Sequence, residues 1–250
     1  MSSESAAAAG LDPQRLPAHI AMIMDGNGRW ARKRLMNRVR GHQRGADVVR
    51  DMARACADLG IAHLTLYAFS TENWARPKAE VSALMGILKN FLRSELPEMQ
   101  DNGIRLSVLG QLDRLPGDVV ALLRETMDRT ADGQRMSLNL ALSYGGRAEL
   151  VGMTQALAQQ SRDGLLDPSD ITEETVAAHL FTRDLPDPDL LIRTSGEQRI
   201  SNFLLWQIAY AELVFTETLW PDFTREELIA ILQTYQGRER RFGRVDPTTA

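Results

Sequence analysis

Cysteine is almost absent: the 250 residues contain one, Cys56. A disulfide framework needs pairs and a thiolate-held metal cluster needs several, so both are excluded. No stretch approaches 18 uninterrupted apolar residues, so no transmembrane helix is expected. Nor is there an excess of positive charge. Lys and Arg number 29 against 33 Asp and Glu, a net charge of −4, which argues against sequence-wide nucleic-acid binding and leaves room for a local basic site. Walker A, HExxH and GxSxG motifs are missing. No basic amphipathic helix marks a membrane contact. What is present, 44% apolar and 25% charged residues, is ordinary for one globular domain able to bury its own core.

The ends read as separable. Residues 1–17 are small, polar and interrupted by Pro13 and Pro17, without the basic and apolar blocks of a secretory signal. They are expected to be a flexible tail, as are residues 246–250. With one free thiol and no signal, the expected compartment is the cytoplasm. No repeat or linker divides residues 18–245.

Within that span strands alternate with helices. His19–Met24 is a short apolar run ending in Asp-Gly-Asn-Gly, which reads as a strand and turn. Residues 45–59 carry Val48, Val49, Met52, Ala55 and Cys56 on one helical stripe, stopped by Gly60. Further strands are expected at 61–69, 104–109, 136–143, 190–193 and 212–216. Further helices are expected at 80–100, 117–129, 146–160, 172–180 and 224–241. Alternation of this kind means βαβ units and a mainly parallel sheet. In such sheets ligands sit beyond the carboxyl ends of the strands, which directs attention to 25–29, 70–78, 144–147 and 194–202.

Three of these segments carry chemistry. Asp25-Gly26-Asn27-Gly28-Arg29 follows the first strand. Its glycines admit a close ligand, its helix start offers N–H groups to a phosphate, and Asp25 suits a divalent metal. Taken alone it is equally a tight turn with an Asp cap. The same residues with Trp30 and Ala31 fit a dinucleotide fingerprint, but the acids about 20 residues on, Asp47 and Asp51, fall inside a helix, and the next strand ends in Ser70-Thr71-Glu72, too far along. The run from Arg32 to Arg40 reads as a mobile, anion-contacting loop. Ser70 to Pro77 brings hydroxyls, an amide, Trp74 and Arg76 to a strand end, or is a capped loop. Arg193 to Asn202 places two arginines around a glycine turn, suited to a second phosphate group. Glu212 is a second candidate metal ligand. If Arg29, Arg38, Arg76, Arg193 and Arg199 converge, they form a basic sink suited to a polyphosphate.

HIAMIMDGNGRWA, YAFSTENWARP and RTSGEQRISNFLLWQIAYAELVFTETLWPDF occur in that order, followed by a closing RERRFG. Over residues 18–243 the chain thereby resembles the cis-prenyltransferase family, and within it the bacterial undecaprenyl diphosphate synthases. The resemblance implies an α/β fold: a single domain with a six-stranded, mostly parallel central sheet surrounded by helices, enclosing a hydrophobic tunnel and forming a homodimer. It implies repeated condensation of isopentenyl diphosphate onto an allylic diphosphate such as farnesyl diphosphate, with Mg²⁺, each new double bond cis. The product implied is undecaprenyl diphosphate for a cell-wall lipid carrier. No nucleic acid is involved, and a peripheral membrane contact for product release is compatible. Asp184-Leu185-Pro186-Asp187 lacks the paired acids of a DDxxD motif, which separates the chain from trans-prenyltransferases.

Residue roles follow from the resemblance. Asp25 is implied as Mg²⁺-linked and catalytic, with Glu212 as second metal ligand. Gly26, Asn27, Gly28, Arg29 and Arg38 are implied as the cradle of the allylic diphosphate. Trp30, His42, Ser70, Thr71, Glu72, Trp74 and Arg76 are implied to line or position substrate, and Asn73 to accept or orient the departing proton. Arg193, Arg199, Ile200 and Ser201 are implied for isopentenyl diphosphate. Part of the helix from Val81 to Met99, with Ala68, Met136 and Leu138, is implied as tunnel wall. Two positions depart from the family: Gln198, where some members carry His, and Ser143, where Asn is usual. His19, His63 and His179 are expected to be structural, and Arg238, Arg240 and Arg241 to end a helix. The rival functions are an NAD-dependent oxidoreductase on the near-fingerprint and a non-catalytic prenyltransferase subunit; the presence of Asp25, Arg29, Asn73, Arg193 and Glu212 speaks against the latter.

Overall fold

In a computed structural model, which describes residues 2–238, the alternation resolves into six strands and eight α-helices among the described residues. The strands are β1 (His19–Ile23), β2 (His63–Ser70), β3 (Ile104–Leu109), β4 (Met136–Tyr144), β5 (Leu190–Arg193) and β6 (Glu212–Phe215). They form one sheet in the order β3-β4-β2-β1-β5-β6, and all five pairings are parallel. The order reverses at β1, with β2, β4 and β3 on one side and β5 and β6 on the other. That switch point is where an open parallel sheet offers a crevice to a ligand.

The helices are α1 (Ser2–Ala8), α2 (Asn27–Lys33), α3 (Arg38–Leu59), α4 (Lys78–Asp101), α5 (Gly117–Arg129), α6 (Gly146–Arg162), α7 (Glu173–Ala177) and α8 (Arg225–Gln236). Strands β1, β4 and β5 are buried on both faces, as continuous apolar runs in a parallel sheet require. Ile20, Met22, Leu64 and Leu66 point into a large cluster with Met52, Cys56, Leu92 and Leu232. Ala21, Ile23, Leu191 and Tyr144 face a smaller one with Phe203, Leu204 and Ile208.

Three expectations are corrected here. The segment read as a flexible tail carries α1, which packs on α3 with Ala6 fully buried and Leu11 nearly so. Alanines this small fit closely against another helix, and Gln236 accepts from and donates to the Asp12 backbone, closing the segment onto α8. The basic run from Arg32 to Arg40 is not a long loop. Asn37 caps a helix that begins at Arg38 instead of Gly45, leaving residues 34–37 as the connection. Gly41 and Gly45, one turn apart on α3, explain the earlier start. A Cβ on either would collide with Asn27, so glycine here is a packing choice and not a break. Of the expected closing helix, Arg240 and Arg241, like most of RERRFG and residues 246–250, lie outside the described residues.

Candidate active site

At the switch point the ends of β1 and β5 meet. Asp25 Oδ2 accepts from Arg193 Nη2 at 2.9 Å and lies 3.4 Å from Arg29 Nη2, while Asp25 Oδ1 accepts from the Gly26 N–H at 2.6 Å. Burial would raise the Asp25 carboxyl, but hydrogen bonds from Arg193 and Ser195, the Arg193 charge and the Gly26 amide outweigh it. The group is held below its ordinary value and stays ionised. Thr194 ties the two strand ends together, accepting from the Asp25 N–H at 3.0 Å and donating to the Asp25 carbonyl at 2.7 Å.

Arg193 is buried to within 3% of full enclosure. It donates to the Arg199 carbonyl and to Ser201 Oγ at 2.7 Å, and its Nε has no partner among the described residues. A buried guanidinium donor without an acceptor is a ready contact for an anion. The loop it supports takes left-handed φ at Ser195 (85°), Ser201 (48°) and Asn202 (62°), a backbone cost that only a tightly determined surrounding sustains. Arg29 donates to the Ser195 carbonyl at 3.0 Å and to its hydroxyl, and pairs with Glu197 at 3.3 Å.

The end of β2 runs into a 3₁₀ turn at Thr71–Ala75. It carries a capping box in which Asn73 Oδ1 accepts from the Ser70 N–H at 3.1 Å. Trp74 Nε1 donates to Ser143 Oγ at 3.0 Å. Glu72 accepts from Asn202 Nδ2 at 3.0 Å, bridging the second and third loops. Ser143 itself has φ 47°, a conformation in which Asn is more at ease than Ser.

Glu80, in the first turn of α4 and not among the expected site residues, is the hub of a cationic group. Its carboxylate lies 3.1 Å from Arg76, 3.7 Å from Arg38 and 3.9 Å from His42. His42 is lowered to about 4 by burial and by the Arg76 charge, against Glu80, and is therefore a neutral imidazole at pH 7. These residues rim a polar cavity with Asp25 to Arg29, Arg32, Leu35, Met36 and Asn37. The basic sink expected of the arginines is thus compensated: Asp25, Glu80 and Glu197 already hold Arg193, Arg38, Arg76 and Arg29.

A second cavity, of about 670 Å³, opens beside the first and changes character along its length. At its mouth stand Asp25, Asn27, His42, Ser70, Glu72, Asn73, Arg76, Arg193, Ser201 and Asn202. Its interior is walled by Ala68, Leu84, Met85, Leu88, Phe91, Leu140 and Leu142. The expected contributions of Ala68 and α4 are present, but Met136 and Leu138 are not at this wall. They occupy the same face of β4 nearer its start, where they are fully buried in the core.

Other expected site residues are not brought together. Trp30 Nε1 donates to Asp222 at 2.7 Å with Arg34 stacked 4.2 Å from its ring, away from both cavities. Thr71, Trp74, Arg199 and Ile200 lie near the mouth but do not line it; Arg199 is exposed and paired with Glu197. Glu212 is corrected as a metal partner of Asp25 in one chain. It begins β6 level with Leu190, three residues and about 10 Å along the strand from Arg193, and pairs with Arg238 at 2.5 Å.

Among the described residues no cluster of three or more metal-ligating side chains exists. Asp25 nevertheless fits one kind of site. Mg²⁺ is commonly held by a single carboxylate with the substrate's phosphates and water, and Asp25 is an ionised, part-exposed carboxylate at the mouth. The dinucleotide reading fails: α2 is seven residues long and ends at Lys33, and β2 ends in Ser70.

Residues 23–243 match the family described as "Putative undecaprenyl diphosphate synthase". An isoprenyl transferase of Geobacter sulfurreducens is 53% identical over 94% of this chain and 96% of its own length. One from Zymomonas mobilis is 52% identical over 91% and 92%. Among solved structures, lavandulyl diphosphate synthase from Lavandula x intermedia, in complex with dimethylallyl diphosphate, superposes with a TM-score of 0.89. It is 38% identical and covers 92% of this chain and 99% of that one. A structure described as a probable undecaprenyl diphosphate synthase from Campylobacter jejuni gives 0.75 at 34% identity, covering 91% and 99%.

Proposed function

This chain belongs to the isoprenyl transferase family, that of the undecaprenyl diphosphate synthases, and is a prenyl transferase; from that premise we propose that it condenses isopentenyl diphosphate repeatedly onto an allylic diphosphate, farnesyl diphosphate in the first instance, with Mg²⁺. The product is a cis-polyprenyl diphosphate of undecaprenyl length, a lipid carrier for cell-wall synthesis. One observation carries the reading: a cavity whose mouth gathers the guanidinium groups of Arg76 and Arg193 and the carboxylates of Asp25 and Glu72, while its interior is apolar. Such a cavity suits an amphipathic ligand with a polyanionic head and a long hydrocarbon tail.

The arginines divide between two heads. Arg29, Arg38 and Arg76, with the amides of Gly26 to Gly28, hold the allylic diphosphate over the start of α2. Arg193 and Ser201 hold the isopentenyl diphosphate. Their task is to bring together two anions that repel each other and to keep the reacting carbons aligned. When the allylic C–O bond breaks, its electron pair leaves with the diphosphate, and the guanidinium groups stabilise that growing charge. The isopentenyl double bond supplies the electrons of the new C–C bond, and a proton departs to a diphosphate oxygen. Asn73 is an amide engaged in the capping box of the 3₁₀ turn after β2, so it orients this region and is no base. Asp25 would hold Mg²⁺, which supplies further charge to the leaving diphosphate. His42, neutral, adds no positive charge of its own. A homodimer fits Leu213, on edge strand β6, and Trp206, in the segment leading into it, large apolar residues left exposed.

The test is incorporation of labelled isopentenyl diphosphate onto farnesyl diphosphate, with Mg²⁺ and with EDTA, resolved by mass. A metal-dependent series ending near 55 carbons is expected. A different endpoint would revise the product, and no incorporation with any allylic primer would refute the reading.

A further inference from the structure

The connection between α2 and α3 carries the most exposed large apolar side chain of the described surface. Leu35 is 98% exposed and Met36 beside it 49%. The turn closes α2 in the usual way, with the Met36 N–H donating to the Ala31 carbonyl at 2.9 Å and the Leu35 N–H to Arg32 at 3.1 Å. Leu35 takes φ 55°. Glycine fits such a closing position without strain. Leucine there accepts a left-handed backbone and holds its whole side chain in water, so nothing within the described chain accounts for it.

The charge around this tip has one sign. Residues 32–40 include Arg32, Lys33, Arg34, Arg38 and Arg40 and no acid, in a chain of net charge −4. All five cations are exposed. Arg34 reaches Asp222 at 3.3 Å and Arg38 reaches Glu80 at 3.7 Å, while Arg32 and Lys33 make no ion pair among the described residues. Leu35 and Met36 also rim the polar cavity, beside Arg32 and Arg38. A protruding apolar pair surrounded by cations partitions into the headgroup layer of an anionic bilayer, because the side chains leave water while the cations meet lipid phosphates.

We infer that residues 32–40 dock this protein on a bilayer carrying anionic phospholipid, with Leu35 and Met36 seated among the headgroups and the polar cavity that they rim turned toward the lipid. A sequence search for an amphipathic helix misses this device, because it is a two-residue tip on a turn. The inference rests on the prenyl-transfer reading only for its use: a growing polyprenyl chain is too apolar to leave through water. The docking itself needs no substrate.

Sedimentation of the full chain with vesicles tests it, using phosphatidylcholine alone and phosphatidylcholine mixed with phosphatidylglycerol. Binding to the mixed vesicles is expected, with release as salt is raised. Lys33→Gln should lower partitioning about fivefold, and Leu35→Ser about tenfold. Leu35→Gly relieves the left-handed residue, so it should keep the melting temperature and still lose the vesicles, which separates lost docking from lost fold. No preference for anionic vesicles, or parent-like sedimentation of Lys33→Gln and Leu35→Gly, overturns the inference. Parent-like binding with a raised allylic diphosphate requirement would make the loop a substrate lid and overturn it too. Intact vesicle binding without prenyl transfer would instead refute the proposed reaction and leave the docking standing.

Discussion

Asp25 and Arg193, 168 residues apart in sequence, meet at 2.9 Å where β1 and β5 end side by side. The guanidinium is buried and the carboxylate about one-third exposed, so the pair is a fixed cation presented at the mouth through a partly open acid.

This geometry makes Arg193→Lys a severe change. Lysine keeps the charge but loses the fork that reaches Asp25, the Arg199 carbonyl and Ser201 together. Loss of roughly 100- to 1,000-fold in kcat/KM for isopentenyl diphosphate is expected, about 3–4 kcal/mol of transition-state stabilisation. Steady-state kinetics at saturating allylic substrate measure it, and parent-like values would remove Arg193 from the site.

Glu80 neutralises the cations that the polar cavity offers. Glu80→Gln should therefore tighten inhibition by inorganic diphosphate about fivefold, as expected for about 1 kcal/mol from one partly screened charge. An unchanged inhibition constant would show that the substrate head does not meet this group.

Ala68 is a small residue in a wall that also carries Ala46, Val49, Leu84, Met85, Leu88, Phe91, Leu140 and Leu142. Packed walls do not yield to added volume. Ala68→Leu should shorten the product by one or more isoprene units, read by mass spectrometry. An unshifted product distribution would place the growing chain elsewhere.

His19 and His42 both have folded values of about 4 against 6.5 unfolded, chiefly through burial. Between those values the unfolded chain binds more protons, so stability is fully present above pH 6.5 and falls as the pH drops toward 4. The loss is on the order of 3 kcal/mol per histidine below that window. Asp25, depressed below its ordinary value, acts only at still lower pH. Melting temperature against pH should show the decline, and His19→Gln, which can keep partners at Thr65 and Pro186, should flatten it. An equally steep decline in that variant would assign the effect to other groups.

The departure at Ser143 illustrates the divide between sequence and structure. Its neighbourhood was legible as a strand end, but its left-handed φ and its bond from Trp74 were not, because both depend on where the 3₁₀ turn of β2 comes to rest.

Local sequence determined what local physics controls. The strands at 104–109 and 190–193 and the helix at 117–129 have the bounds that their periodicity and breakers predict. Thr224 caps α8 as read. Asp25, Arg76 and Arg193 were traceable because parallel sheets bind at strand ends. Tertiary structure decided everything that depends on register and helical phase. Parallel pairing set Glu212 level with Leu190, remote from Asp25, and left Leu140 and Leu142 rather than Met136 and Leu138 at the cavity. The phase of α2 turned Trp30 toward Asp222. The packing of α4 beside α3 brought Glu80 to Arg38 and His42, and α1 found its partner on α3. Periodicity specifies which face of an element is buried, but which distant residue meets it is settled only when the elements pack.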